Sequence, residues 1–310
     1  MSAAVESRSA PVVTRVLADA PEELTRGVLR RLGEGVGKVV YASDQWVVRR
    51  KRSPREVVAL ILLWRGLHFI ERLLPGGWGR KLRSHPSRKL RFLRVLVQGA
   101  ISLLPQALWF RGHIRDVWRL YRRRDRRGVK LAQIHLTGSP LYPQTVTFPP
   151  VRVRVGGWPG WLVVSEATER VETTLNDKFI GLARAGRFLE MEQWLIRLLD
   201  ARQAGWRRGL FSMDAHLKNY GAIGDRVVLL DSGGLTGVWS EVEQYLSTRD
   251  SSQPPHCRMG LEPLLRGHPE IATQFDDRWN ATVNLPTVRA AWPSEKSDPA
   301  RGGDDAGPQH

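Results

Sequence analysis

The sequence predicts an α+β fold, and three observations predict it. Short β-branched and aromatic runs at Val39–Tyr41, Trp46–Val48, Trp161–Val164 and Val227–Leu230 have the length of buried strands and are bounded by turn residues. From Asp177 to Leu199 apolar residues instead recur at three- and four-residue intervals, the period of helices with a buried face. A Gly224-Asp225 pair just before Val227–Leu230 reads as a tight hairpin turn. With 310 residues, the chain is long enough to bury a large core.

Residues 1–20 lack the apolar core of a signal peptide and are expected to be loose. Leu32–Tyr41 then reads as a glycine-rich turn, with Gly33, Gly35 and Gly37, running into an apolar strand. Glycines let a backbone approach phosphates closely, and their N–H groups can cradle an anion; the same spacing also serves an ordinary hairpin. Trp46–Lys51 follows a turn at Ala42–Gln45 and ends in three consecutive cations, Arg49, Arg50 and Lys51. Pro54-Arg55-Glu56 opens a helix, with Pro in the first turn and an early acid. Glu56, or Glu71 further along the same helical run, is the expected partner of the strand cation.

The next segment is both basic and apolar. Arg49–Lys130 holds 23 Lys and Arg against four acids, Glu56, Glu71, Asp116 and Asp125. The formal net charge of the whole chain is +17, so the remainder is close to neutral. Runs such as Ala59–Trp64 and Leu90–Val97 interleave with Arg83, Arg88, Lys89, Arg91 and Arg94, and Tyr121–Arg127 closes the segment. Cationic faces joined to Trp, Phe and Leu suit an anionic membrane surface. A solvated helical lobe and a nucleic-acid partner are the competing readings of the same residues. No run of about eighteen uncharged apolar residues occurs, so no spanning helix is expected.

Trp161–Ala167 is a buried strand that ends in polar residues, and the helical stretch Asp177–Leu199 follows it. Ser212–Leu235 carries the chemistry. Asp214 lies on a polar loop, Asn219 comes five residues later, and Asp231 ends the strand Val227–Leu230 before Ser232-Gly233-Gly234. A carboxylate at a strand end followed by glycines projects into a cleft, and hard oxygen ligands of this kind suit Mg²⁺. Beyond Leu235, Val242–Leu246, Leu261–Leu265, Ile271–Trp279 and Val288–Trp292 read as short helices. Ser294–His310 is rich in Gly, Asp, Pro and Ser and is expected to be disordered. Cys257 stands alone, which excludes an intrachain disulfide and fits a reducing compartment.

Taken together, Asp214, Asn219 and Asp231-Ser232-Gly233 resemble the catalytic loop and metal-binding motif of the protein-kinase-like phosphotransferases. His216, two after Asp214, is more similar to the loop of small-molecule kinases than to that of protein kinases. Met213, Ser212 and Ser232 depart from the common pattern, as does arginine in place of the usual strand lysine. The resemblance covers roughly Leu32 to Leu235. It implies a two-lobed kinase-like fold with a small antiparallel-sheet N-lobe (21–166), a basic helical insertion at about 60–135 and a mostly helical C-lobe (167–293).

The resemblance also implies roles. ATP and Mg²⁺ are the cofactors. Asp214 orients and deprotonates an acceptor hydroxyl, while Asn219 and Asp231 hold the metal. Gly33, Gly35 and Gly37 cover the phosphates, Arg49 or Lys51 steadies them with Glu56 as partner (the choice among Arg49, Arg50 and Lys51, and between Glu56 and Glu71, staying open), and the backbone near Glu166 and Ala167 meets the adenine. His216 supports the loop; Lys218 either touches the transferred phosphate or is simply solvated. The basic character and the lack of a peptide-docking region resemble the bacterial lipopolysaccharide core sugar kinases. That likeness implies a glycolipid hydroxyl as acceptor and a cytoplasmic protein peripheral to the inner membrane. The alternatives are a Ser/Thr protein kinase, a pseudokinase binding module and, more remotely, a basic nucleic-acid-binding protein.

Overall fold

The computed structural model describes residues 15–34, 37–53, 56–57, 106–136, 138–157, 159–249 and 255–293. The chain is a mixture of helices and strands that divides into two compact units. One comprises Arg15–Arg124 and Thr145–Arg170; the other gathers Asp125–Gln144 and Val171 onward. Among the described residues no helix is long and apolar enough to cross a membrane.

The first unit is built on a six-stranded sheet. Its strands are β1 (Arg15–Val16), β2 (Val28–Glu34), β3 (Lys38–Ala42), β4 (Trp46–Lys51), β5 (Thr145–Val155) and β6 (Trp161–Glu169), in the order β1-β5-β2-β3-β4-β6. β5 also pairs with β6, so five strands form a ring of pairings. The sheet is mixed, not antiparallel as expected. β1 and β2 both run parallel to β5, through Arg15↔Val146 and Val28↔Arg154. The short helix α1 (Glu22–Arg26) separates β1 from β2, which lets both follow the same long strand. Residues 15–17 therefore belong to the sheet, where Leu17 N–H donates to the Thr147 carbonyl at 2.8 Å, and are not part of a loose terminus.

β5 carries Pro149-Pro150, and its register against β6 shifts between Thr147 and Val151. Proline offers no N–H to a ladder, so the irregularity falls where the sequence removes the donors. Alternation fixes the faces: Val39 and Tyr41, Val153 and Val155, with Leu24, Leu29, Val48, Val146, Phe148 and Ala167, form the core of this unit.

The second unit is mostly helical. α2 (Gln106–Leu136) enters it at Asp125, and Ala132 and Leu136 join its core. Residues 125–144 thus belong to this unit, whereas the expected N-lobe (21–166) included them. The stretch read as helical from Asp177 is two helices, α3 (Leu175–Arg184) and α4 (Phe188–Trp206), parted at Gly186 with φ +66°. Thr174 caps α3 by accepting from Asp177 N–H. α5 (Trp239–Ser247), α6 (Glu262–Leu265), α7 (Pro269–Thr282) and α8 (Leu285–Ala291) match the short helices read from the sequence. They pack around Phe179, Leu195, Leu198, Trp206, Phe211 and Trp279.

Of the basic insertion, residues 58–105 lie outside the described residues, as do Glu71 and the expected disordered tail 294–310. The basic stretch that is described, Arg122, Arg123, Arg124 and Arg126, is exposed on α2.

Candidate active site

The loop carrying Asp214 is held between two small sheets. β8 (Phe211–Ser212) pairs with β11 (Leu235–Thr236), and β9 (Tyr220–Ile223) pairs with β10 (Arg226–Leu229) across a two-residue turn. That turn is Gly224-Asp225 with Gly224 at φ +58°, the hairpin the sequence announces. A strand at Thr173–Thr174, β7, extends the second sheet along β9.

Asp214 is exposed at the tip, and the backbone around it is pinned. Met213 N–H donates to the Gly234 carbonyl at 2.9 Å, and Ser212 Oγ donates to the Asp214 carbonyl at 3.1 Å. A one-turn 3₁₀ segment, Leu217–Asn219, follows. Asn219 Nδ2 donates to the Asp214 carbonyl at 3.3 Å. Its main-chain carbonyl accepts from Leu230 N–H at 2.8 Å and from Asp231 N–H at 3.4 Å. Asn219 therefore joins the segment of the first carboxylate to that of the second. Asp231 Oδ1 in turn accepts from Gly233 N–H at 3.0 Å, which orients the carboxylate over the glycine turn.

The glycines of that turn are steric requirements. A β-carbon on Gly234 would lie 2.8 Å from Asp214 Cβ and 3.1 Å from Asp214 N. From α2, Gly128 approaches Ser232 so closely that a β-carbon would fall 1.8 Å from its carbonyl oxygen. The same helix brings Asp125 Oδ1 to 3.7 Å from the β-carbon position of Gly233, where Asp231 Oδ1 lies at 3.3 Å. Asp125 is thus a third acid beside the turn, which the sequence offers only as one charge in a basic run.

Arg202 escapes sequence reading altogether. It is 5% exposed, and its guanidinium donates to Tyr220 Oη at 2.8 Å and to the Ser212 carbonyl at 3.1 Å. Those two residues are the ends of the Asp214–Asn219 loop. Phe211, Trp279 and Trp206 surround the charge with ring centroids at 5.3, 5.1 and 6.0 Å. A cavity of about 40 Å³ lies alongside, bounded by Arg202, Ser212 and Tyr220 and by Leu136, Trp206 and Leu229. The available signal is position: Leu195, Leu198, Leu199, Arg202 and Trp206 share the buried stripe of α4.

The remaining expected residues lie in the sheet unit. Gly33 is in β2, opposite Val40, next to a bulge. The Gly37 carbonyl accepts from Arg52 N–H at 2.8 Å. Gly35 lies outside the described residues. Glu56 does pair with a strand cation, but with Arg50: the guanidinium meets both carboxylate oxygens at 2.7 and 3.0 Å. Arg49 and Lys51, the cations expected in that role, have no ion pair with it, Lys51 being an exposed strand end. Glu56 also forms a reciprocal cap with Ser53, accepting from Ser53 N–H at 2.8 Å and donating its own N–H to Ser53 Oγ at 3.3 Å. The Arg50 fork and the Ser53 N–H hold its carboxyl down at about 2. Arg50 itself is raised, first by that hydrogen bond. Glu166 and Ala167 are not at a strand end: they pair with Thr147 and Val146, Ala167 is buried, and β6 continues to Glu169.

Among the described residues no three His, Cys, Asp or Glu side chains cluster as metal ligands. Asn219 and Asp231 nonetheless form a hard oxygen pair of the kind Mg²⁺ accepts, because that ion keeps several waters and needs only one or two protein carboxylates beside a phosphate. The Asn219 amide is turned with its NH₂ to the Asp214 carbonyl, which directs its oxygen the other way. No protein-family model matches the chain, and no curated protein sequence matches it either.

Proposed function

We propose that the chain is an ATP-dependent phosphotransferase that transfers the γ-phosphoryl group to an acceptor hydroxyl. Asn219 carries this reading. Its side chain holds the Asp214 segment, and its main chain holds the Asp231 segment, so one residue sets a candidate base and a candidate metal carboxylate in a fixed relation. Phosphoryl transfer depends on such positioning more than on covalent chemistry.

In this reading the exposed Asp214 carboxylate receives the hydroxyl proton as the acceptor oxygen bonds to phosphorus and the bond to the leaving ADP oxygen breaks. Asn219 and Asp231 would hold Mg²⁺, which when bound neutralises charge on the phosphates. Gly233 orients Asp231, and Gly234 leaves room for Asp214.

The acceptor in this reading is a sugar hydroxyl of a glycolipid at the cytoplasmic membrane face. The concentration of 23 Lys and Arg against four acids between Arg49 and Lys130 supports an anionic surface as the place of work. One observation favours a second reading, a nucleotide-binding module without transfer. The strand cation is an arginine, and both oxygens of Glu56 engage its fork.

Titration calorimetry tests the site. Wild type is expected to bind ATP in a Mg²⁺-dependent manner, Asp231→Ala to lose that dependence, and Asp214→Asn to keep binding while losing transfer. No binding by the wild type would end the nucleotide reading. Binding without transfer to any hydroxyl, glycolipids included, would favour the second one.

A further inference from the structure

The outer face of the β5–β6 hairpin presents a patch that the phosphotransferase reading does not use. Alternation along both strands turns Val153, Val155, Leu162 and Val164 toward the core, with the intervening residues outward. Two cross-strand pairs lie on the outer face, Arg154↔Trp161 and Arg152↔Val163, and Val28 of β2 continues the first row through its pairing with Arg154. Val163 is 73% exposed, Val28 52% and Trp161 45%. Both guanidiniums lie over the indole, at 4.8 Å for Arg152 and 5.6 Å for Arg154. Among the described residues neither arginine pairs with a carboxylate, whereas Arg30 and Arg170 of the same unit both approach Asp44.

We propose that this face docks on an anionic lipid bilayer, with Trp161, Val163 and Val28 entering the interfacial region and Arg152 and Arg154 meeting lipid phosphates. Charge complementarity selects an anionic partner, and the aliphatic side chains select lipid. A nucleic-acid backbone gives an exposed Val163 or Val28 nothing to bury against, whereas the headgroup boundary accepts aliphatic and indole groups beside cations. Cation–π contact keeps both guanidiniums beside the indole, so charge and aromatic surface are presented together. The proposal names the surface by which the chain would reach a membrane-borne acceptor, but it does not depend on ATP binding.

The test is co-sedimentation of the full chain with phosphatidylcholine vesicles containing 30% phosphatidylglycerol, without nucleotide. Wild type is expected to bind these and not pure phosphatidylcholine vesicles. Arg152→Glu/Arg154→Glu and Trp161→Ser/Val163→Ser should each weaken binding at least tenfold, with far-ultraviolet circular dichroism unchanged. Arg184→Glu/Arg207→Glu, which makes the same charge change on exposed positions of the helical unit, should bind nearly as wild type. An equal loss in that control, undiminished binding by both hairpin variants, or a wild type that binds single-stranded oligonucleotide but not anionic vesicles would overturn the proposal. Because nucleotide is absent, failure here leaves the calorimetric test of the phosphotransferase site untouched.

Discussion

Gly234 lies against Asp214 with no room for a side chain: a β-carbon at 234 would stand 2.8 Å from that of Asp214. The Gly234 carbonyl also receives Met213 N–H, so the glycine sets the position of the residue before the carboxylate as well. Gly234→Ala must displace one strand of the loop from the other. It should cost about 1–3 kcal/mol, as overpacking does. Transfer should fall further than stability, roughly a hundredfold, because misplacement by about 1 Å is costly for a positioned group. Gly33→Ala is the control: nothing lies within 4 Å of its β-carbon position, and stability should stay within about 0.5 kcal/mol of wild type. Denaturant midpoints of the two variants and the transfer rate of Gly234→Ala against wild type decide the matter.

The Glu56 carboxyl gives a pH signature. Folding lowers it from the ordinary 4.5 to about 2, chiefly through the Arg50 hydrogen bond and then through Ser53 N–H. A depressed carboxylate contributes stability that is fully present above about 4.5 and is lost as pH falls toward 2. With 29% of the Glu56 side chain exposed, solvent screening limits that contribution to about 1 kcal/mol. Wild type should therefore lose melting temperature between pH 4.5 and 2 more steeply than Glu56→Gln, and the two curves should converge at the acid end. Parallel curves across this interval would show that the pair adds no pH-dependent stability.

Local signals were legible in the sequence and long-range ones were not. The Gly224-Asp225 turn, the strand before Asp231 and the helix-forming stripe from Asp177 depend on neighbours a few residues away, and each appears where the pattern puts it. The sequence leaves the partner of Glu56 open among the consecutive cations Arg49, Arg50 and Lys51. Its choice depends on how β4 leaves the sheet, where Arg52 N–H is tied to Gly37, and motif spacing carries no such information. The parallel pairing of β2 with β5 joins residues more than a hundred positions apart. Arg202 was invisible because an arginine among leucines reads as a solvated charge until its aromatic surroundings are seen.

Cys257 should behave as a reporter of global unfolding. It is fully buried, and burial pushes its thiol well above the ordinary value, so the reactive thiolate is absent from the folded protein near neutral pH. Labelling by a thiol reagent should be negligible in native buffer and should rise with denaturant in step with loss of circular dichroism. Rapid labelling of the native protein would mean that the packing around Leu261 and Leu265 opens locally.

Arg202 makes the strongest demand on the fold, because it spans both ends of the loop through Ser212 and Tyr220. Arg202→Met keeps volume and removes the donors, leaving the Tyr220 hydroxyl and the Ser212 carbonyl without this partner. Two such buried groups should cost roughly 2–4 kcal/mol. Tyr220→Phe removes one arm only and should cost about 1 kcal/mol. Stability alone does not separate a clamp from ordinary core packing, so the decisive reading is local. Amide hydrogen exchange in Arg202→Met should accelerate across Met213–Asn219 well beyond any change in the β9–β10 hairpin. Tyr220→Phe should show the same pattern at lower amplitude. Exchange that rises evenly through the helical unit would assign Arg202 to packing and remove it from the positioning of Asp214.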